Sequence, residues 1–96
     1  MISLLDVEPY NRKYLKFTAI FDIDGCTKKI NFGNSRSKSY IENCDKFKRT
    51  KYHKRHTKDL ISNDPMNAGI LSYYLMWGES SNLDNNIKYF KKAFNI

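Results

Sequence analysis

Six side chains in this sequence are of types that do chemistry in small proteins: Asp22, Asp24, Cys26, Cys44, His53 and His56. The two cysteines and two histidines together have the ligand types of a zinc site. Their spacing argues against one. Eighteen positions separate Cys26 from Cys44, where about two to four intervening residues are usual. His53 and His56, at i,i+3, share a helix face that points inward, the setting of a packed histidine pair. A Cys–His nucleophile pair has no supporting context, and both cysteines read as reduced thiols. The two aspartates lie in Phe21-Asp22-Ile23-Asp24-Gly25-Cys26-Thr27.

That D-x-D-G run, which ends an apolar strand, is similar to the nucleophile motif of haloacid-dehalogenase-type phosphatases. The likeness implies that Asp22 attacks phosphorus and Asp24 handles the leaving-group proton, with magnesium between them. Three features oppose the likeness. The fold it belongs to needs a larger parallel sheet than 96 residues can build. The strand before it alternates, whereas buried parallel strands are continuously apolar. The residues after it read as a returning hairpin arm. An EF-hand is excluded too, since the remaining oxygen ligands and the closing Glu are missing. No Gly-rich phosphate loop, serine triad or paired-carboxylate site occurs. The expectation is therefore a non-enzyme with no catalytic residue, no metal and no cofactor. A small metal-dependent hydrolase or nuclease, relying on Asp22 or His56, is the enzymatic alternative.

Charge carries the stronger signal. Seventeen Lys and Arg face ten Asp and Glu, a net +7. Between Arg36 and Lys58 lie nine cations and two acids, Glu42 and Asp45, so that segment holds the whole excess and the remainder is balanced. From Lys46 to Lys58 there is no acid at all, unlike a merely solvated helix face with interspersed i,i+4 partners. A concentrated positive field attracts polyanions and raises their encounter rate. Thirteen of the seventeen cations are Lys. Lysine is a flexible point charge suited to phosphate rather than to forked base readout, which argues against sequence-specific recognition.

These side chains must be positioned by one small domain over residues 1–96. Lys13 to Phe21 alternates, with Leu15, Phe17, Ala19 and Phe21 on one face. Asp22-Ile23-Asp24-Gly25 is a turn signal. Cys26 to Phe32 alternates again, which predicts a β-hairpin over about 13–32. Met1 to Asn11 reads as an irregular lead-in. Helices are expected over about 39–58, interrupted before an N-cap at Asp45, then over about 65–77 and 81–94. Asp64 and Pro65 open the second, with Ala68 and Gly69 permitting a close approach, and Gly78 stops it. Ser80 or Ser81 caps the last, whose stripe is Leu83, Ile87, Phe90 and Phe94. The fold class is α+β: an N-terminal antiparallel hairpin packed on three to four helices, β-β-α-α-α. No apolar stretch approaches a membrane span or a secretory leader, so no membrane partner is expected.

At 100° per residue, Arg49, Tyr52, His53, His56 and Leu60 fall on one side of the helix after Asp45. Lys48, Lys51, Lys54, Arg55 and Lys58 fall on the other, with Phe47 among them. The expectation is a cationic ridge about three turns long that follows a phosphate backbone, with Phe47 stacking on an unpaired base or making an ordinary exposed contact. Tyr73, Tyr74 and Trp77 read as core or interface aromatics.

The chain also resembles a small family, without an assigned activity, of nucleocytoplasmic large DNA viruses, mimivirus-like and phycodnavirus-like. The likeness runs from about Lys13 to Phe94. It rests on Ile30-Asn31-Phe32-Gly33, Tyr40 and Asp45, then Arg49, Tyr52, Arg55 and His56, then Asp64-Pro65, Ala68-Gly69, Leu71-Ser72, Leu75 and Trp77, and finally Leu83, Ile87, Tyr89 and Phe94. Cys44 and Phe47 depart from it, standing where charged residues are expected, which supports exposure of Phe47. The resemblance implies a viral origin, an α+β fold and no functional residues of its own. Residues and resemblance together predict a small basic viral protein that binds DNA or RNA with little sequence preference, in packaging, genome condensation or the viral factory. Its place would be the virion or the host cytoplasm. The alternative is a structural virion or assembly protein whose basic helix meets an acidic protein surface, with Tyr73, Tyr74, Met76 or Trp77 as anchors. A homo-oligomer is compatible with either.

Overall fold

A three-stranded antiparallel sheet in the order β1-β2-β3 forms one layer. Its strands are β1 (Ile2–Pro9), β2 (Leu15–Ile23) and β3 (Cys26–Asn34). Four helices follow, α1 (Tyr40–Asn43), α2 (Lys46–His56), α3 (Ala68–Leu71) and α4 (Leu83–Phe94); α3 and the turn after it pack on β3, and α4 packs on that turn. The computed structural model describes residues 1–96, and the chain is an α+β protein with its strands at the N-terminus. No helix is long and apolar enough to cross a membrane.

The expected hairpin is present. Phe17 pairs with Phe32, Ala19 with Ile30 and Ile23 with Cys26. Asp24 and Gly25, both at positive φ, close it as a two-residue turn. The D-x-D-G run is thus a hairpin corner, and the Met1 ammonium bonds the Asp24 carboxylate across it. The irregular lead-in is corrected: Ile2–Pro9 is a strand. Its pairing slips between Leu4 and Asp6, leaving Leu5 as an extra, exposed residue. A bulge of this kind switches which residues face inward. Leu4 pairs with Phe21 before it and Val7 with Ala19 after it, so simple alternation is broken in the sequence.

The core lies between the layers. Leu4, Ala19, Phe21 and Phe32 come from the sheet, and Ile70, Leu71, Leu75, Met76 and Phe90 from the helices. Gly33 sits at φ +87°, and any Cβ there would overlap the Met76 sulfur, so this glycine is needed both for its backbone and for its lack of bulk.

The central helix differs from expectation in both start and geometry. Asp64-Pro65 opens a turn rather than a helix. The Asn67 N–H donates to the Asp64 carbonyl at 3.0 Å and the Met66 N–H to the Asp64 carboxylate at 2.9 Å, the arrangement expected of Asp and Pro at the first two turn positions. Asn67 is the true cap, accepting from the Gly69 and Ile70 N–H groups. After Leu71 the helix widens into a π turn over Ser72–Met76, where Trp77 N–H donates to Ser72 carbonyl at 3.1 Å. The approach expected at Ala68-Gly69 comes from Asp59, whose carboxylate lies against Gly69. Asn82, not Ser80 or Ser81, caps α4.

Asn86 on α4 is fully buried and closes this half of the fold. Its amide donates to the Leu75 carbonyl at 3.0 Å and the Ser80 carbonyl at 2.7 Å, and its oxygen accepts from the Ser80 N–H at 3.0 Å. Gly78 packs against it. Asn86→Asp removes both donors from buried carbonyls and is expected to cost about 3 kcal/mol in urea unfolding at neutral pH. Because burial favours the protonated acid, which retains one donor, the deficit relative to the parent should narrow as pH falls.

Candidate nucleic-acid interface

Helix α2 begins where expected. The Asp45 carboxylate accepts from the Phe47 and Lys48 N–H groups at 3.0 and 3.1 Å, and Cys44, at φ 54°, breaks the chain between α1 and α2. Lys48, Lys51, Lys54 and Arg55 are all exposed on α2, and Phe47 is 69% exposed beside them. The ridge is shorter than expected, because α2 ends at His56 and Lys58 lies in the following 3-10 turn, Thr57–Ser62. The ion pairs of the structure join Met1 to Asp24, Lys16 to Glu42 and Arg49 to Glu79, and the His56 Nδ1 is hydrogen-bonded to the Asp59 carboxylate at 3.0 Å. None uses a ridge cation, so the charge of the ridge is not neutralised.

No residue of α2 is fully buried. The helix is held along one edge, by the side expected to face inward. The Tyr52 ring stacks on Trp77 with centroids 4.4 Å apart and planes 6° apart, and His56 stacks on Tyr52 at 4.1 Å. His53 stacks on Tyr73 at 4.4 Å, and its Nε2 bonds the Trp77 carbonyl, which requires the proton on that nitrogen. Arg49 donates to Glu79 at 2.7 Å and lies over the Tyr40 ring, while its Nε is buried with no acceptor in reach. Burial, aided by the Asp59 carboxylate and against the pull of Arg55, pushes the Tyr52 phenol up to about 12. Both histidines are therefore packed as the sequence indicates. Cys26 and Cys44 are free and exposed, and nowhere do three His, Cys, Asp or Glu side chains converge as metal ligands would.

A cleft of about 700 Å³ opens between α2, the loop after β3 and the π turn. Lys48, Lys51 and Arg55 line it from α2, whereas Lys54, Lys58 and Phe47 do not. The structure thus divides the ridge: three of its cations turn toward a concavity, and the rest lie along an open flank. Lys51 also reaches over the Phe47 ring, 4.5 Å from its centroid. Lys38 joins the lining from the loop, with Asn34, Ser37, Ser39 and Asn43, and no carboxylate belongs to it.

Lys38 was not legible as a site residue because it lies in a loop. The usable signal was beside it, in Ser39-Tyr40-Ile41-Glu42, a capping box. The Glu42 carboxylate accepts from Ser39 N–H at 2.9 Å and from the Ser39 hydroxyl at 3.0 Å, and pairs with Lys16 on β2. Partial burial raises its pKa, but these hydrogen bonds outweigh that and hold the acid below the usual glutamate range. The anchored carboxylate ties the loop to the sheet through Lys16, whose ammonium also donates to the Ser37 carbonyl at 2.6 Å.

Compared with models of protein families, with curated protein sequences and with solved structures, the chain matches none.

The stack makes a specific demand. Trp77→Ala should speed hydrogen exchange of α2 amides about tenfold or more while leaving β2 amides nearly unchanged, since a lost aromatic pair is worth about 0.5–1.5 kcal/mol beyond its burial. In the parent, ultraviolet titration should show one phenol ionising near 12. As that folded value lies above the unfolded one, the stability it contributes is intact below pH 10 and declines as pH rises toward 12.

Proposed function

We propose that this chain is a non-enzymatic basic module that binds nucleic acid through the phosphate backbone, with little sequence preference. One observation carries the reading: Lys48, Lys51, Lys54 and Arg55 project from a single helix, exposed and without a carboxylate partner. Cations so placed displace condensed counterions from a phosphate chain, and that release drives association. Lysine predominates, and no fork of arginines is aimed at a base edge, which suits positioning contacts rather than base readout. The resemblance to proteins of large DNA viruses supports a role in packaging, condensation or the viral factory, in the virion or the host cytoplasm.

The competing reading, an assembly protein docking on an acidic partner, keeps Tyr73, Tyr74 and Trp77 as partly exposed anchors but not Met76. Met76 is buried in the core, and Tyr73, Tyr74 and Trp77 are half-buried and engaged with other rings. The large exposed apolar side chains, including Leu5, Tyr14, Phe47, Ile61 and Tyr89, come from separate elements.

With about four phosphate contacts, the association constant for a mixed-sequence duplex should fall about a hundredfold when salt rises fourfold. Lys51→Glu, Lys54→Glu and Arg55→Glu together should abolish binding at moderate salt, with an unchanged circular dichroism spectrum because none of the three is buried. A salt-insensitive affinity, or binding that survives the triple reversal, overturns the reading.

A further inference from the structure

The cleft beside α2 is built differently from the open flank of the same helix. Its rim is positive, with Lys38, Lys48, Lys51 and Arg55 converging from two separate elements. Its interior is aromatic and apolar, with Tyr52, His56 and Trp77 forming one continuous stack and Met76 beside them. Asn34, Ser37, Ser39, Asn43 and Ser72 also line the cleft, with the Ser39 hydroxyl and the Asn43 amide already bonded to Glu42 and to the Lys38 carbonyl. A site for phosphate alone has no use for rings, and a site for an apolar ligand has no use for four cations.

We propose that this cleft receives a nucleotide of a single strand, its base against the Trp77 end of the stack and its phosphates on the cationic rim. The inference rests on the nucleic-acid reading above and adds strandedness to it. Its volume, about 700 Å³, lies within the range of about 300–1,000 Å³ typical of pockets that enclose small molecules. A duplex keeps its bases paired and stacked, and presents only its backbone to a concave surface. An unpaired nucleotide can turn its ring inward, and ring-on-ring stacking tolerates every base, in keeping with weak sequence preference. Tyr52 already stacks with both Trp77 and His56, so the incoming ring is received at an end of the stack rather than at Tyr52. The same arrangement gives the two halves of the ridge separate tasks: Lys54 and Lys58 meet backbone outside the cleft, and Lys48, Lys51 and Arg55 meet it at the mouth.

Trp77 is the only tryptophan and so reports on the cleft directly. The experiment titrates the full chain with fluorescently labelled oligothymidine and with a labelled duplex of equal length, following label anisotropy and, with unlabelled strands, Trp77 emission. Two charge-matched variants accompany it: Lys38→Glu at the cleft, and Lys29→Glu on β3, exposed and outside the cleft lining. The expected result is single-strand binding about tenfold tighter than duplex binding, with Trp77 emission quenched only by the single strand. Lys38→Glu should weaken the single strand about tenfold, the loss expected for a charged hydrogen bond, and Lys29→Glu less than half as much. Binding of both forms with equal affinity, with Trp77 emission unchanged at saturation or with equal losses in the two variants, overturns this inference and leaves the backbone-binding reading standing. Binding of neither form overturns both.

Discussion

Everything exposed on α2 depends on how little of it is buried. The helix is attached by a row of rings, Tyr52 on Trp77 and His53 on Tyr73, with the Trp77 carbonyl held by His53. A helix sunk into the core would have to neutralise or withdraw its cations, since an unpaired buried charge is costly. A helix held along one edge keeps its other flank in water, where lysines need no partner. Edge attachment and charge density are therefore the same constraint seen from two sides. The histidines and tyrosine suit it because each offers an apolar face to a neighbouring ring while tolerating a polar rim.

The rings can meet α2 only because of the widened turn that precedes Trp77. From Tyr73 to Trp77 the chain sends Tyr73 and Trp77 toward α2, Tyr74 toward Phe90 and Phe94 of α4, and Leu75 and Met76 into the core. Five successive side chains thus serve three different surfaces. Such a turn leaves backbone groups outside the regular helical ladder, and Asn86 takes up the Leu75 carbonyl from the opposite side. The buried amide, Gly78 pressed against it and the π turn form one interlocked corner, and the position of Trp77 is set there.

The hairpin was legible because Leu15 to Phe21 and Cys26 to Phe32 alternate, with Ile20 and Lys28 as exceptions, around a turn dipeptide. β1 was not, because the extra residue at Leu5 shifts the pattern by one and no local signal announces it. The face of α2 could be assigned from its wheel alone, since cations and rings segregate cleanly there. Its end at His56 could not, because Lys58 continues the pattern while the backbone tightens into a 3-10 turn. Asp64-Pro65 has two physical readings, helix start and turn start, and the choice was made by Asn67 three residues on. The polar Asn86 sits among the apolar stripe of α4, where a surface position was the natural reading. The cleft was invisible as such: its other wall comes from residues between Asn34 and Asn43, outside the helix that carries the ridge, brought alongside by the capping box at Ser39 and Glu42.

The bulged first strand has an effect beyond the core. A three-stranded sheet has two free margins, each a template on which another chain could add a strand and begin fibrous aggregation. On β1 the slip at Leu5 twists the margin, and Pro9 near its end lacks a donor. On β3 the exposed Lys28 and Lys29 oppose close approach of a second copy. Both features make it harder for a second copy of this chain to join edge to edge. The irregularity that hides the strand in the sequence thus also guards the edge that the strand creates.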